Sequence, residues 1–212
     1  MKPKVVRLAV LGGEAVGKTQ FVENVTSYAI SVFFRSFWDP PAEGSDEYVA
    51  QRTPGVKIKD IELSDGRILR VLDMGGQSQF IASHRPIVIT GFGLYLLVLN
   101  LLLGVKGMLK SGRYWIQFVI ATRHPAMFEG CDQPPLFVLF SHPDLLSTGN
   151  PQHLADEVYA QLKKEFSKYF KWMPNNTYIA NCRVRSSEIR RLLRGFEEAH
   201  EEVTKVRKIV HN

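Results

Sequence analysis

Gly12, Gly17, Lys18 and Thr19 stand in the stretch "LGGEAVGKTQF", which spells G-x-x-x-x-G-K-T from Gly12 to Thr19. Each of these residue types suits a polyanion. Glycines let the backbone turn tightly, so that successive N–H groups converge on phosphate oxygens. Gly13, Glu14, Ala15 and Val16 fill the turn and contribute through their backbone. The Lys18 ammonium can neutralise β/γ-phosphate charge, the Thr19 hydroxyl can ligate magnesium, and Gln20 follows in the next position. Glu14 is the odd member, an acid among groups that attract anions. Unless it points away or makes a compensating contact, it repels the ligand.

A cradle of this kind works only between a strand and a helix. Upstream, "VVRLAVL" (Val5 to Leu11) is apolar enough for a strand buried on both faces. Downstream, Phe21, Val22 and Val25 recur at helical spacing, and the start of that helix adds its dipole to the anion site. After a break rich in Pro, Gly and acids (Ser36 to Tyr48, expected to be a long loop), "VKIKDIEL" and "RILRVLDM" flank Asp65-Gly66, a hairpin turn signal. Further strands are expected at "LYLLVLN", "PLFVLF" and "NTYIAN". A helix is expected after Asn150 and Pro151, with Leu154, Val158, Leu162 and Phe166 on one face. A last helix should begin near Ser187, burying Ile189, Leu192, Leu193, Phe196, Val203 and Val206. The expected fold is α/β of the P-loop NTPase class. It has a mostly parallel six-stranded sheet with one antiparallel edge strand and helices on both faces, and residues 1–212 form a single domain.

Composition agrees with that class. The chain has 212 residues, 45% hydrophobic and 23% charged, enough for a full core. Cys131 and Cys182 form no metal-ligand cluster, so a reducing, cytoplasmic setting is expected. The ends show no secretory pattern and no acylation or prenylation signal, so no stable membrane anchor is expected. "IVITGFGLYLLVLNLLLGV" (Ile87 to Val105) carries no charge, but its glycines and Asn100 interrupt it, and a buried strand accounts for its centre. Net charge is +6, yet the basic residues of the last helix alternate with Glu197, Glu198, Glu201 and Glu202, the pattern of a solvated face. No nucleic-acid partner is expected.

The hairpin ends in a second motif, "LDMGGQSQF". Asp73 closes a buried strand, where an acid can hold magnesium through water. Gly76 can offer an N–H to a γ-phosphate, and Gln77 can orient an attacking water. D-x-G-G-Q after G-x-x-x-x-G-K-T resembles the Ras superfamily of small GTPases, and most of all its Arf-type variant. The resemblance implies GTP/GDP and Mg2+ as ligands, slow GTP hydrolysis, and effector and regulatory proteins as partners. It also implies a switch I threonine that reaches magnesium when the γ-phosphate is present. Thr53 in "QRTPGVKI" is that residue, and Pro54 biases it towards extended backbone.

The family reads its base after the next buried strand, at N-K-x-D or T-H-x-D. Here that position holds "SHPD": Ser141, His142, Pro143 and Asp144. Asp144 keeps the carboxylate that pairs with two guanine donors, which adenine lacks. His142 can cover the base as the lysine stem does elsewhere. The family's last base contact follows the final strand, and here Asn181, Cys182 and Arg183 fall near it without matching its motif, with Cys182 the nearest. Within the superfamily the chain looks most like the Roc domains of leucine-rich-repeat kinases and other Roco proteins. That similarity rests on "FIASHRPIVITGFGLYLLVLNL", "RYWIQFVIATRHP" and "SHPD". It implies a COR-like domain or self-association as further partners. Two other functions stay open: a P-loop phosphoryl-transfer kinase, and a nucleotide-binding scaffold with vestigial hydrolysis.

Overall fold

The computed structural model describes residues 5–33, 56–63, 66–75, 93–122, 133–173 and 177–210, with side chains described throughout except at 27–33 and 202–210. Strand β1 (Val5–Leu11) runs into the glycine loop and then α1 (Lys18–Phe33). The hairpin β2 (Val56–Glu62) and β3 (Ile68–Met74) follows, then β4 (Gly93–Asn100) and α2 (Gly104–Thr122). Next come β5 (Pro135–Ser141), α3 (Pro151–Phe166), the short strands β6 (Lys171–Trp172) and β7 (Tyr178–Ala180), and α4 (Ser187–Val210).

The described strands form one sheet in the order β2-β3-β1-β4-β5-β6, with β7 also paired to β5. Only β2 is antiparallel to its neighbour, and it lies at the edge, as expected. There are seven described strands where six are expected, but β6 and β7 share a lane. Lys171 and Trp172 pair with Pro135 and Leu136, whereas Tyr178 to Ala180 pair with Leu139 to Ser141. A two-residue strand carries no periodicity, so β6 leaves no sequence signal.

Side-chain alternation sorts the core into two layers. On one face, Val6, Leu8 and Val10 of β1 and Leu94, Leu96 and Val98 of β4 pack with Phe21, Val22 and Val25 of α1 and Ile189, Leu192 and Phe196 of α4. On the other, Ala9, Leu11, Tyr95, Leu97 and Leu99 pack with Trp115, Ile116 and Val119 of α2 and Ala155, Val158 and Leu162 of α3. Strands buried on both sides explain the unbroken apolar runs. The centre of the uncharged Ile87–Val105 stretch is β4, and among the described residues no helix is long and apolar enough to cross a membrane.

Local signals act where they stand. The Asn150 carboxamide oxygen accepts from the N–H groups of Gln152 and His153 (2.9 and 3.4 Å), with Pro151 opening α3. At the hairpin, Gly66 takes φ +77° and its N–H donates to the Leu63 carbonyl (3.0 Å). Helix α4 buries Ile189, Leu192 and Phe196, with Leu193 packed against them, and the predicted Val203 and Val206 lie outside the described side chains. Two further residues join that face, Ala199 and His200, the latter fully buried. Arg67, beside the hairpin turn, reaches the Glu197 carbonyl (3.3 Å) and His200 Nδ1 (3.4 Å), giving the imidazole a polar partner inside the core.

Candidate functional site

Strands β1, β3, β4 and β5 are parallel, so their C-terminal ends lie along one edge. Open α/β sheets bind ligands at that edge. Three of the sequence motifs arrive there together.

The glycine loop takes backbone that few residues tolerate. Gly12 has φ +147°, Ala15 +56° and Gly17 +89°. A Cβ on Gly12 would lie 2.5 Å from the carbonyl oxygen of Val98, so β4 passes directly against the loop and only glycine fits. Val16 points inward as part of the core, whereas Glu14 and Ala15 are exposed and Gln20 is half-buried.

Lys18 lies back across this loop. Its Nζ donates to the carbonyls of Gly12 (2.9 Å) and Gly13 (2.5 Å), and the residue is only 7% exposed. Burial pushes its pKa down from 10.5 to about 8, against the opposing charges of Asp73 and Glu14, which favour the ammonium. Glu14 therefore acts on the loop through the charge of Lys18 while its own side chain stays in solvent.

Thr19, one residue on, donates its hydroxyl to Asp73 Oδ2 at 2.8 Å. Asp73 is 1% exposed and pairs in register with Val10 at the end of β1. The two residues form a pair of hard oxygen donors beside the loop, a donor set suited to a small divalent cation such as magnesium, which completes its shell with water and phosphate. Among the described residues no cluster of three or more His, Cys, Asp or Glu side chains could hold a metal.

The "SHPD" segment begins at the last residue of β5. The Ser141 hydroxyl donates to the Leu99 carbonyl of β4 (3.2 Å), and His142 Nδ1 lies 2.9 Å from Ser141 Oγ. A hydroxyl has one proton, and a carbonyl can only accept, so the imidazole donates from Nδ1 to Ser141. His142 holds a left-handed backbone, φ 61° and ψ 39°, and caps a 3-10 turn from Pro143 to Leu145. Burial lowers its pKa, Asp144 opposes that, and Arg183 adds to it. Asp144 itself is exposed at the mouth of the site.

The loop after β7 is held by its own hydrogen bonds. Asn181 Oδ1 accepts from the Arg183 N–H (2.9 Å), and the Asn181 carbonyl accepts from the Val184 N–H (3.2 Å). Those two bonds leave the Cys182 N–H as the donor of this turn that they do not use. The Cys182 thiol is buried and pushed up to about 12, first by desolvation and then by the Asp144 charge, so it packs as a neutral group. A Cβ on Gly17 would lie 3.3 Å from Cys182 Sγ and 3.6 Å from His142 Cε1. The loop bearing Lys18, the loop bearing Asp144 and the loop bearing Cys182 thus share one wall.

Thr53, Gly76 and Gln77 lie outside the described residues. Asn24 is a site-edge residue that sequence reasoning missed. Its Nδ2 donates to the Cys182 carbonyl (3.2 Å) from the second turn of α1. A polar amide with poor helix propensity, two positions after the apolar pair Phe21 and Val22, was the available signal.

No protein-family model matches the chain, and no curated protein matches it by sequence. Among solved structures, it is similar to the Arl6 BBS3 small GTPase from Trypanosoma brucei with bound nucleotide analogue GppNp. The TM-score is 0.63 over 96% of this chain and 99% of that one, with 14% of residues identical. At that identity the likeness speaks to fold, and the fold is the P-loop α/β fold of small GTPases.

Proposed function

We propose that the protein is a guanine-nucleotide switch that binds GTP and GDP with Mg2+ and hydrolyses GTP slowly. The observation that carries this reading is the contact of Gly17 with Cys182 and His142, 3.3 and 3.6 Å from a Cβ on that glycine. It supports a single site running from the glycine loop to the loops after β5 and β7, as one nucleotide would require. A phosphoryl-transfer kinase needs no carboxylate in the Asp144 position.

Each residue has a role in this reading. Gly12 to Gly17 offer backbone N–H groups to the α/β-phosphates, with Gln20 completing the entry to α1. Lys18 exchanges the Gly12 and Gly13 carbonyls for phosphate oxygens, whose negative charge favours the ammonium that burial disfavours. Thr19 and Asp73 would hold the cation, with Thr53 as a further ligand in the GTP state. The cation supplies charge neutralisation at the β/γ-oxygens when bound. Gln77 orients the water that attacks the γ-phosphorus, and Gly76 offers its N–H to the γ-phosphate. Asp144 accepts two base donors, Cys182 donates its N–H to the base carbonyl, and His142, held by Ser141, walls the base pocket.

Hydrolysis would reshape the segments around Thr53 and Gln77 and so change affinity for effector and regulatory proteins. Within the class we propose the Roc type, on the "SHPD" and "RYWIQFVIATRHP" segments, with a COR-like domain or a second copy as partner in the cytoplasm. Chromatography of the nucleotide that copurifies with the protein tests the reading. GDP or GTP at near one equivalent is expected. An adenine nucleotide, or none with no guanine-nucleotide affinity on titration, would exclude it.

A further inference from the structure

Asn24 lies on the helix that begins at Lys18, yet its side chain ends on the opposite loop. Its Nδ2 donates to the Cys182 carbonyl at 3.2 Å across 158 residues of sequence. That bond completes the fixation of two successive peptide planes. The plane joining Cys182 and Arg183 is held at its oxygen by Asn24 and at its N–H by Asn181 Oδ1 (2.9 Å). The plane joining Asn181 and Cys182 is held at its oxygen by the Val184 N–H (3.2 Å). The described chain has no cis peptide, so the N–H of that second plane points opposite to its oxygen. The Cys182 N–H is therefore directed out of the turn. The Cys182 side chain rests against Gly17, 3.3 Å from a Cβ there, so the residue cannot swing without disturbing the phosphate loop.

We infer that Asn24 is a positioning residue for base recognition. It pins the Cys182 segment so that its N–H meets an exocyclic carbonyl of a purine base. This rests on the guanine-nucleotide reading above and adds to it a residue on the phosphate-side helix. The cysteine at this position is a spacer, and the specificity lies in backbone held from a distance. The arrangement also ties the base loop to the helix that begins at Lys18.

The ligand pair that isolates this contact is GDP and 6-thio-GDP. The thio analogue keeps both donors for Asp144 and replaces only the carbonyl oxygen by a poor acceptor. Asn24→Asp keeps the side-chain size but turns an acceptor towards the Cys182 carbonyl, and Asn24→Ala removes the contact altogether. Calorimetric titration of the full chain should show GDP affinity falling about five- to tenfold in both variants, the range of one lost hydrogen bond. Affinity for 6-thio-GDP should change less than twofold, and melting temperatures should stay close to the parent. Equal losses for both ligands would mark Asn24 as merely structural and overturn the inference, as would GDP affinity equal to the parent's. If the parent binds GDP no better than 6-thio-GDP, the Cys182 contact itself is absent, and the inference falls while guanine binding through Asp144 stands. If the parent binds neither, the guanine reading is wrong.

Discussion

The Thr19 hydroxyl donates to the Asp73 carboxylate at 2.8 Å, joining residues 54 apart in sequence at the start of α1 and the end of β3. The bond holds two oxygen donors in place beside the glycine loop. A divalent cation would take up these oxygens in place of this bond. Nucleotide affinity should therefore drop when magnesium is chelated, and Thr19→Asn should lose GTP more than GDP. Asp73→Ala should abolish the response to magnesium while leaving weak, metal-independent binding. Fluorescent-nucleotide titrations with magnesium or a chelator decide this; a Thr19→Asn variant that binds GTP like the parent would remove the metal assignment.

Lys18 should make nucleotide binding proton-linked. Burial holds its pKa at about 8, below the ordinary 10.5, so between these values the unfolded chain binds more protons than the folded one. Stability of the nucleotide-free protein should accordingly rise with pH across that window. Phosphates need the charged amine, so binding above pH 8 must take up a proton. At pH 8.5 calorimetry in buffers of different ionisation heat should report net proton uptake on binding, and almost none at pH 6.5. Lys18→Ala should abolish measurable binding. No uptake at pH 8.5 in the parent would mean that Lys18 does not meet the phosphates.

Base selectivity should rest on Asp144. Asp144→Asn should weaken GDP binding more than 10-fold, since a hydrogen bond to a charged group contributes roughly 1.5–3 kcal/mol. Because Asp144 is exposed, the substitution should leave folding unchanged, and relative affinity for xanthine nucleotides should rise. Unchanged GDP affinity would sink the assignment.

Gly12 and Gly66 both take positive φ, at +147° and +77°, but they sit in different surroundings. A Cβ on Gly12 meets the Val98 carbonyl at 2.5 Å, whereas one on Gly66 meets nothing within 4 Å. Gly12→Ala should cost about 2–4 kcal/mol of stability, strain and clash together. Gly66→Ala should cost about 1 kcal/mol, from conformation alone. Chemical denaturation of the two variants gives both values, and equal losses would contradict the close approach of β4.

What the sequence made legible follows from the range of each interaction. The glycine loop could be read because spacing, apolar strand and following helix are contiguous. The place of Asp144 in the fold could be read likewise, because it follows the wholly buried β5 within a few residues. The Cys182 register could not be read, because it depends on how the Asn181 side chain folds back on its own turn. Asn24 was invisible for a stronger reason: its partner is a backbone carbonyl 158 residues away, and a carbonyl has no sequence identity. His200 was missed similarly. A histidine among glutamates reads as solvent-facing until Arg67 arrives from the hairpin.

Glu14 brings two of these arguments together. Its carboxylate is exposed, so it does not fill the cradle, yet its charge helps to keep Lys18 protonated. In nucleotide-free protein that is a favourable charge interaction, which gives an acid in this loop a compensating partner. On the proposed reading, the same charge would oppose the negative charge that develops on the γ-phosphate during hydrolysis. The expected result is retained binding with slow unaided hydrolysis, near or below roughly 10⁻⁴ s⁻¹, until a partner supplies an arginine. Glu14→Gly should then do two separable things. It should raise the intrinsic single-turnover rate, a gain that Gln77→Leu removes. It should also lower the Lys18 pKa further, moving the onset of proton uptake on nucleotide binding to lower pH. A parent rate of several per minute without any partner would contradict the first effect, and an unmoved uptake midpoint would contradict the second.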